Sequence, residues 1–142
     1  MAPLRAFALS LILLTAVMAS AAGAATPLPQ TAQALATLIT AKGLNCTDFT
    51  ADTGGGTPPV SEGSCTVGHE ADVVLSVFTS HSSLVKLLPI GKKNICAEMK
   101  QAHASIPTVF VIGPNWIAVF ESTVNAHPLA KAMKAKTQTL KC

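Results

Sequence analysis

The sequence predicts an α+β domain: a two-layer sandwich in which an antiparallel sheet of about four to five strands carries helices on one face. Three observations predict it. Apolar alternation of period two recurs in short runs, amphipathic helical stretches separate those runs, and the turns between neighbouring strands are of hairpin length, which forces antiparallel pairing. Helices so placed must bury their apolar stripes against the sheet.

Thr26 to Pro29 reads as an extended entry. A helix follows from about Thr31 to Lys42, with Leu35, Leu38 and Ile39 on one face and Gly43 as its stop. Leu44 to Phe49 reads as a strand. Thr50 to Glu62 reads as an irregular loop, because three glycines and a Pro58-Pro59 pair resist both helix and sheet. Ser64–Val67 and Ala71–Phe78 form a predicted hairpin around Gly68-His69-Glu70, with Val73, Leu75 and Val77 on one face and Val74 and Phe78 on the other. Thr79 or Ser80 caps a helix carrying Leu84, Val85, Leu87 and Leu88, which Pro89 and Gly91 are expected to end. Asn94 to His103 is a second helical piece, rich in strong helix formers. Thr108 to Ile112 is a β-branched bar, Gly113-Pro114-Asn115 turns the chain, and Trp116 to Glu121 returns it. A last helix is expected over Ala126 to Lys136, with Asn125 as cap and Pro128 in the first turn.

The 142 residues are 49% hydrophobic, 12% charged and 4% aromatic. That low charge excludes a disordered chain. Part of the apolar excess lies in residues 1–25. Arg5, an apolar run from Ala6 to Ala19 and the small residues up to Ala25 are the three parts of a cleaved secretory signal. The apolar run is too short to span a bilayer, and no later stretch is longer, so the mature chain carries no integral membrane segment. Residues 26–142 then make one domain, about 117 residues, expected outside a bacterial cell.

Loss of the leader removes Arg5, the only arginine, and leaves nine lysines against seven acids. Without the planar fork of arginine, with no Tyr and one Trp, nucleic acid is excluded as a partner. Charge is uneven: residues 43–85 hold five acids and no lysine, whereas residues 86–142 hold eight lysines and two acids. Such lysines read as a solvated face.

Cys46, Cys65, Cys96 and Cys142 make an even set in an exported chain, so two disulfides are expected. Four cysteines allow three pairings. Cys46–Cys65 staples two strands across the glycine-rich loop, and Cys96–Cys142 pins the last residue. In the chain-entropy picture the two contribute about 3 and about 4 kcal/mol. Separations of 19, 31 and 46 residues fit no compact zinc pattern.

Catalytic templates find little to match. His69, His81, His103 and His127 offer no closely spaced metal-ligand pair, and His69-Glu70 lacks the second histidine of a metalloprotease helix. Gly63-Ser64-Cys65 lacks the pattern of a nucleophile elbow, and Gly54-Gly55-Gly56 lacks the helix and lysine of a phosphate loop. Leu28-Pro29-Gln30-Thr31-Ala32 resembles a cell-wall sorting signal but opens the mature chain. Asn45-Cys46-Thr47 fits a glycosylation acceptor whose cysteine is expected to be bridged. No catalytic residue, metal or cofactor is therefore assigned. Trp116, with Asn115, is singled out as a possible partner contact at a hairpin start, against a bland reading in which the indole closes one end of the core.

The strings Gly43-Leu44-Asn45-Cys46-Thr47-Asp48-Phe49, Gly63-Ser64-Cys65-Thr66-Val67 and Ile112-Gly113-Pro114-Asn115-Trp116, followed by a closing amphipathic helix, resemble small bacterial exported proteins and lipoproteins of unknown function. The resemblance implies an α+β fold and a disulfide, and carries no activity. The lipidated cysteine of the lipoprotein members is absent here. The expectation is thus a non-catalytic binding protein of the cell exterior, with a protein or cell-envelope component as partner. The alternatives are an inhibitor of a secreted hydrolase, presenting the Thr50–Glu62 loop, and a small hydrolase whose His/Asp site is assembled only in space.

Overall fold

The computed structural model describes residues 27–53 and 61–142. The expected signal segment, 1–25, and the middle of the expected loop, 54–60, lie outside the described residues. Among the described residues nine elements follow in order: α1 (Ala32–Ala41), β1 (Cys46–Asp52), β2 (Ser61–Val67), β3 (Glu70–Val77), α2 (His81–Gln101), β4 (Val109–Ile112), β5 (Trp116–Phe120), α3 (Thr123–Met133) and β6 (Lys136–Thr139). The fold is α+β, and its sheet has six strands rather than four to five, in the order β1-β2-β3-β5-β4-β6 with every neighbouring pair antiparallel.

Alternation along the strands explains the layering. Val73, Leu75 and Val77 on β3, Val109 and Val111 on β4, and Trp116, Ala118 and Phe120 on β5 form the larger core with Leu35 and Ile39 of α1 and Ala126 and Leu129 of α3. The intervening residues Phe110 and Ile117 point to the other face, where they cluster with Phe78 and with Leu84 of α2. The expectation of helices on one face describes α1 and α3, and α2 adds a layer on the opposite face. Connectivity accounts for this. α2 links β3 to β4 across the intervening β5, and α3 links β5 to β6 across β4. The two crossovers shift the same way along the sheet but leave strands of opposite direction. Equal handedness then requires opposite faces.

Four local expectations are corrected. The first is α2, a single helix of 21 residues with Pro89 inside it rather than two pieces separated at Pro89 and Gly91. Its apolar side chains are anchored on both sides of the proline, by Leu84, Leu87 and Leu88 before it and Ile95 after it. Second, α3 starts three residues early. Ser122 is its cap, its hydroxyl accepting from the Val124 N–H at 3.1 Å, while Asn125 is inside the helix and donates to Glu70 Oε2 at 3.1 Å. Third, Thr50–Asp52 and Ser61–Glu62, expected as loop, extend β1 and β2: Thr50, Ala51 and Asp52 pair with Ser64, Gly63 and Glu62, and Ser61 pairs with Val77 of β3. Fourth, β6 replaces the expected end of the last helix. Lys134 leaves α3 in the left-handed region at φ 52°, and Lys136–Thr139 pair with β4.

Both disulfides are formed in the expected pairing, Cys46–Cys65 joining β1 to β2 and Cys96–Cys142 joining α2 to the segment after β6. Bulges interrupt β1 near Asp48 and the β2–β3 pairing near Asp72. Each aspartate takes a positive φ, 55° and 57°, a conformation its short polar side chain tolerates.

Candidate functional site

Asn115 and Trp116, weighed as a partner contact against a place in the core, are interior. Each is 2% exposed. Asn115 Nδ2 donates to Pro29 O at 2.8 Å and Phe78 O at 3.2 Å, tying the entry segment and the end of β3 to the β4–β5 turn. The Asn115 Oδ1 has no hydrogen-bond partner among the described residues. The indole lies against Gly113 and inside the larger core. The core-closing reading of Trp116 fits this burial: a side chain with almost no exposed surface presents nothing to a partner. The four histidines also stay apart on the surface. His81 donates through Nδ1 to Pro114 O at 2.8 Å, docking the start of α2 on the same turn. Among the described residues no three His, Cys, Asp or Glu side chains are grouped so as to hold a metal ion.

The feature that sequence reasoning missed is the space beneath α2. Of the 21 residues of this helix only Leu84 is buried. α2 is fixed at its N-terminal end by His81 and Leu84 and along one side by its links to β6. Lys92 donates to Gln138 Oε1 at 2.5 Å and sits 5.5 Å above the Phe110 ring, and Cys96 is bonded to Cys142. That attachment leaves part of the β2–β3–β5 side of the same sheet face open, where Val74 and Val119 are half-buried, while Phe78 and Ile117 are buried in the cluster that Leu87, Leu88 and Ile95 pack against. A cleft of about 510 Å³ lies there, floored by Val74, Phe78, Ile117 and Val119 and walled by Leu87, Leu88 and Ile95. A second cavity of about 380 Å³ continues it towards Ala104, Ile106 and Glu121. The two share Val74, Ile95, Glu98 and Val119 and so form one groove.

No family model, curated protein or solved structure matches this chain. The groove is therefore read from its own residues.

Its apolar floor is what a binding cleft uses, and its volume falls within the range of about 300 to 1,000 Å³ common to ligand sites. The polar groups are few. Ser76, on the floor, donates from Oγ to Glu62 Oε1 at 3.1 Å and orients that carboxylate at the edge. Asp72, Glu98 and Glu121 border the other end. Three lysines of the basic half sit elsewhere: Lys92, Lys93 and Lys141 gather around the Cys96–Cys142 bridge, on the β6 side of α2. A signal for the groove was present in the sequence. Val74, Phe110, Ile117 and Val119 are apolar residues on the face that a two-layer sandwich would give to water, and a sheet apolar on both sides needs cover on both.

Among the described residues no helix is long and apolar enough to cross a membrane.

Proposed function

We propose that this chain is a non-catalytic binding protein of the cell exterior, stapled by two disulfides, which holds an apolar segment of its partner in the groove between α2 and the sheet. The observation that carries the reading is the apolar floor of Val74, Ile117 and Val119 under a helix that buries only one of its own residues. Apolar surface of this kind, concave and bordered by a few polar groups, gains free energy when a ligand displaces water from it. Export is supported by the leader-like residues 1–25 and by the two disulfides, which persist in oxidising compartments. The resemblance to small bacterial exported proteins is part of the same proposal.

Nile red, a neutral apolar dye, tests the groove. Its emission is expected to rise with the wild-type chain from residue 26 and to stay at the buffer level with Val74→Trp, whose indole fills the floor. Equal emission from both proteins, with Val74→Trp folded by circular dichroism, refutes a groove-based function. Intact mass of secreted material tests the location: the product should begin after residue 25 and lack the four hydrogens lost in forming two disulfides. A product that keeps Met1 or all four thiols removes the case for export.

A further inference from the structure

The charge around the groove selects the ligand. Glu62 lies on its border at the Phe78 end, Glu98 near the middle, and Asp72 and Glu121 at the Ile106 end. Among the described residues no lysine or arginine lines either part of the groove, although α2 itself carries Lys86, Lys92, Lys93 and Lys100. A chain with more lysines than acids has thus placed four carboxylates, and among the described residues no cation, along this apolar floor. Fields from like charges beside a low-dielectric wall add, and they favour a positively charged occupant.

Shape narrows the class. The residues of α2 and its C-cap that line the groove run from Leu87 to Ala102, fifteen helical steps, or about 22 Å of helix axis. At about 3.3 Å per residue an extended peptide of about seven residues spans that length. Side chains of such a peptide alternate between its two sides, so apolar residues can enter the floor while basic residues between them meet the carboxylates at the border. The geometry points to a cationic amphipathic peptide segment, about seven residues of alternating basic and apolar character, as the ligand of this groove. This inference rests on the binding role proposed above and adds the chemistry of the partner.

The test uses the chain from residue 26 to 142 with both disulfides intact, and three capped heptapeptides that alternate leucine or phenylalanine with lysine, with glutamate or with serine. Binding is followed by anisotropy of a fluorescein label on each peptide and located by methyl chemical shifts of Val74, Ile95 and Val119. The lysine peptide is expected to bind at least about tenfold more tightly than the serine peptide at low salt, with the glutamate peptide weaker still, and the preference should shrink as salt screens the border. The double variant Glu98→Lys/Glu121→Lys, exposed at both positions, is expected to reverse the order of the lysine and glutamate peptides. Equal binding of lysine and serine peptides with shifts in the groove overturns the cationic assignment and leaves the binding role intact. Dodecyltrimethylammonium bound as tightly as the lysine peptide overturns the peptide assignment in favour of a small cationic amphiphile. If none of the probes shifts the groove methyls, while Nile red still enters wild type and not Val74→Trp, the ligand inference fails alone. If the dye fails as well, both fall.

Discussion

Gly113→Ala should be among the most damaging single-methyl additions in this protein. A Cβ at this position meets Cε2, Nε1 and Cζ2 of Trp116 closer than real carbon contacts allow. Neither partner can retreat. The Gly113 N–H donates to Trp116 O at 2.9 Å, Phe78 N–H donates to Asn115 O at 2.8 Å, and Trp116 is paired with Val77 across the sheet. The atoms in the way belong to a rigid ring inside the core rather than to the tip of a flexible chain. Overpacking of this kind costs about 1 to 3 kcal/mol, and the pinned geometry places Gly113→Ala near about 3 kcal/mol. For a domain of this size that lowers Tm by about 10 °C. Trp116→Leu removes the three clashing atoms and by itself costs about 3 kcal/mol through lost burial. In the double variant the methyl has room, so the alanine should add less than about 1 kcal/mol, a coupling of about 2 kcal/mol. Urea unfolding followed by far-ultraviolet circular dichroism measures all four proteins, since tryptophan fluorescence disappears in two of them. Costs that add within about 0.5 kcal/mol, or a Gly113→Ala protein within about 0.5 kcal/mol of wild type, would refute the packing argument.

The opposite sign is expected for Gly91→Ala. Gly91 is inside α2, a Cβ there meets nothing within 4 Å, and stability should rise by about 0.8 kcal/mol in the same urea experiment. Ser122→Ala removes the cap of α3 and should cost about 1 kcal/mol, whereas His127→Ala, at an exposed position of the same helix, should change stability by less than about 0.5 kcal/mol. Cys96→Ala/Cys142→Ala opens the longer covalent loop and should cost about 4 kcal/mol by thermal unfolding, against about 3 kcal/mol for Cys46→Ala/Cys65→Ala. A smaller loss from the longer loop would indicate that α2 is held mainly by its apolar contacts.

Five of the six strands and both disulfides were legible in the sequence because each leaves a local mark: alternation, a turn, or an even cysteine set. β6 leaves none. Lys136-Thr137-Gln138-Thr139 is exposed at every position and holds its place through backbone pairing with β4, so no apolar pattern announces it. The break expected at Pro89 and Gly91 failed for a different reason. Local propensity opposes helix there, but Leu84, Leu87, Leu88 and Ile95 hold one continuous face against Phe110 and Ile117. Asn125 was a reasonable cap by residue type, yet its side chain is used by Glu70, which also accepts the Glu121 N–H, and Ser122 takes the cap position instead. The groove was the least legible part. Its lining comes from β2, β3, β4, β5, α2 and the segment that follows the helix, and it depends on which face α2 chooses, a property of connectivity rather than of any one segment.

The two covalent bridges also bear on how these molecules behave in a crowd. β1 and β6 are the outermost strands, and an outermost strand is the part most readily lent to a neighbouring molecule or extended into a fibre. One bridge bolts β1 to β2, and the other bolts the segment after β6 to a helix on the sheet, so both lending strands are fastened to their own molecule. Oxidised protein should therefore stay monodisperse during long storage at high concentration. The same protein held in reductant has both margins unfastened, and strand exchange and insoluble polymer are its expected fate.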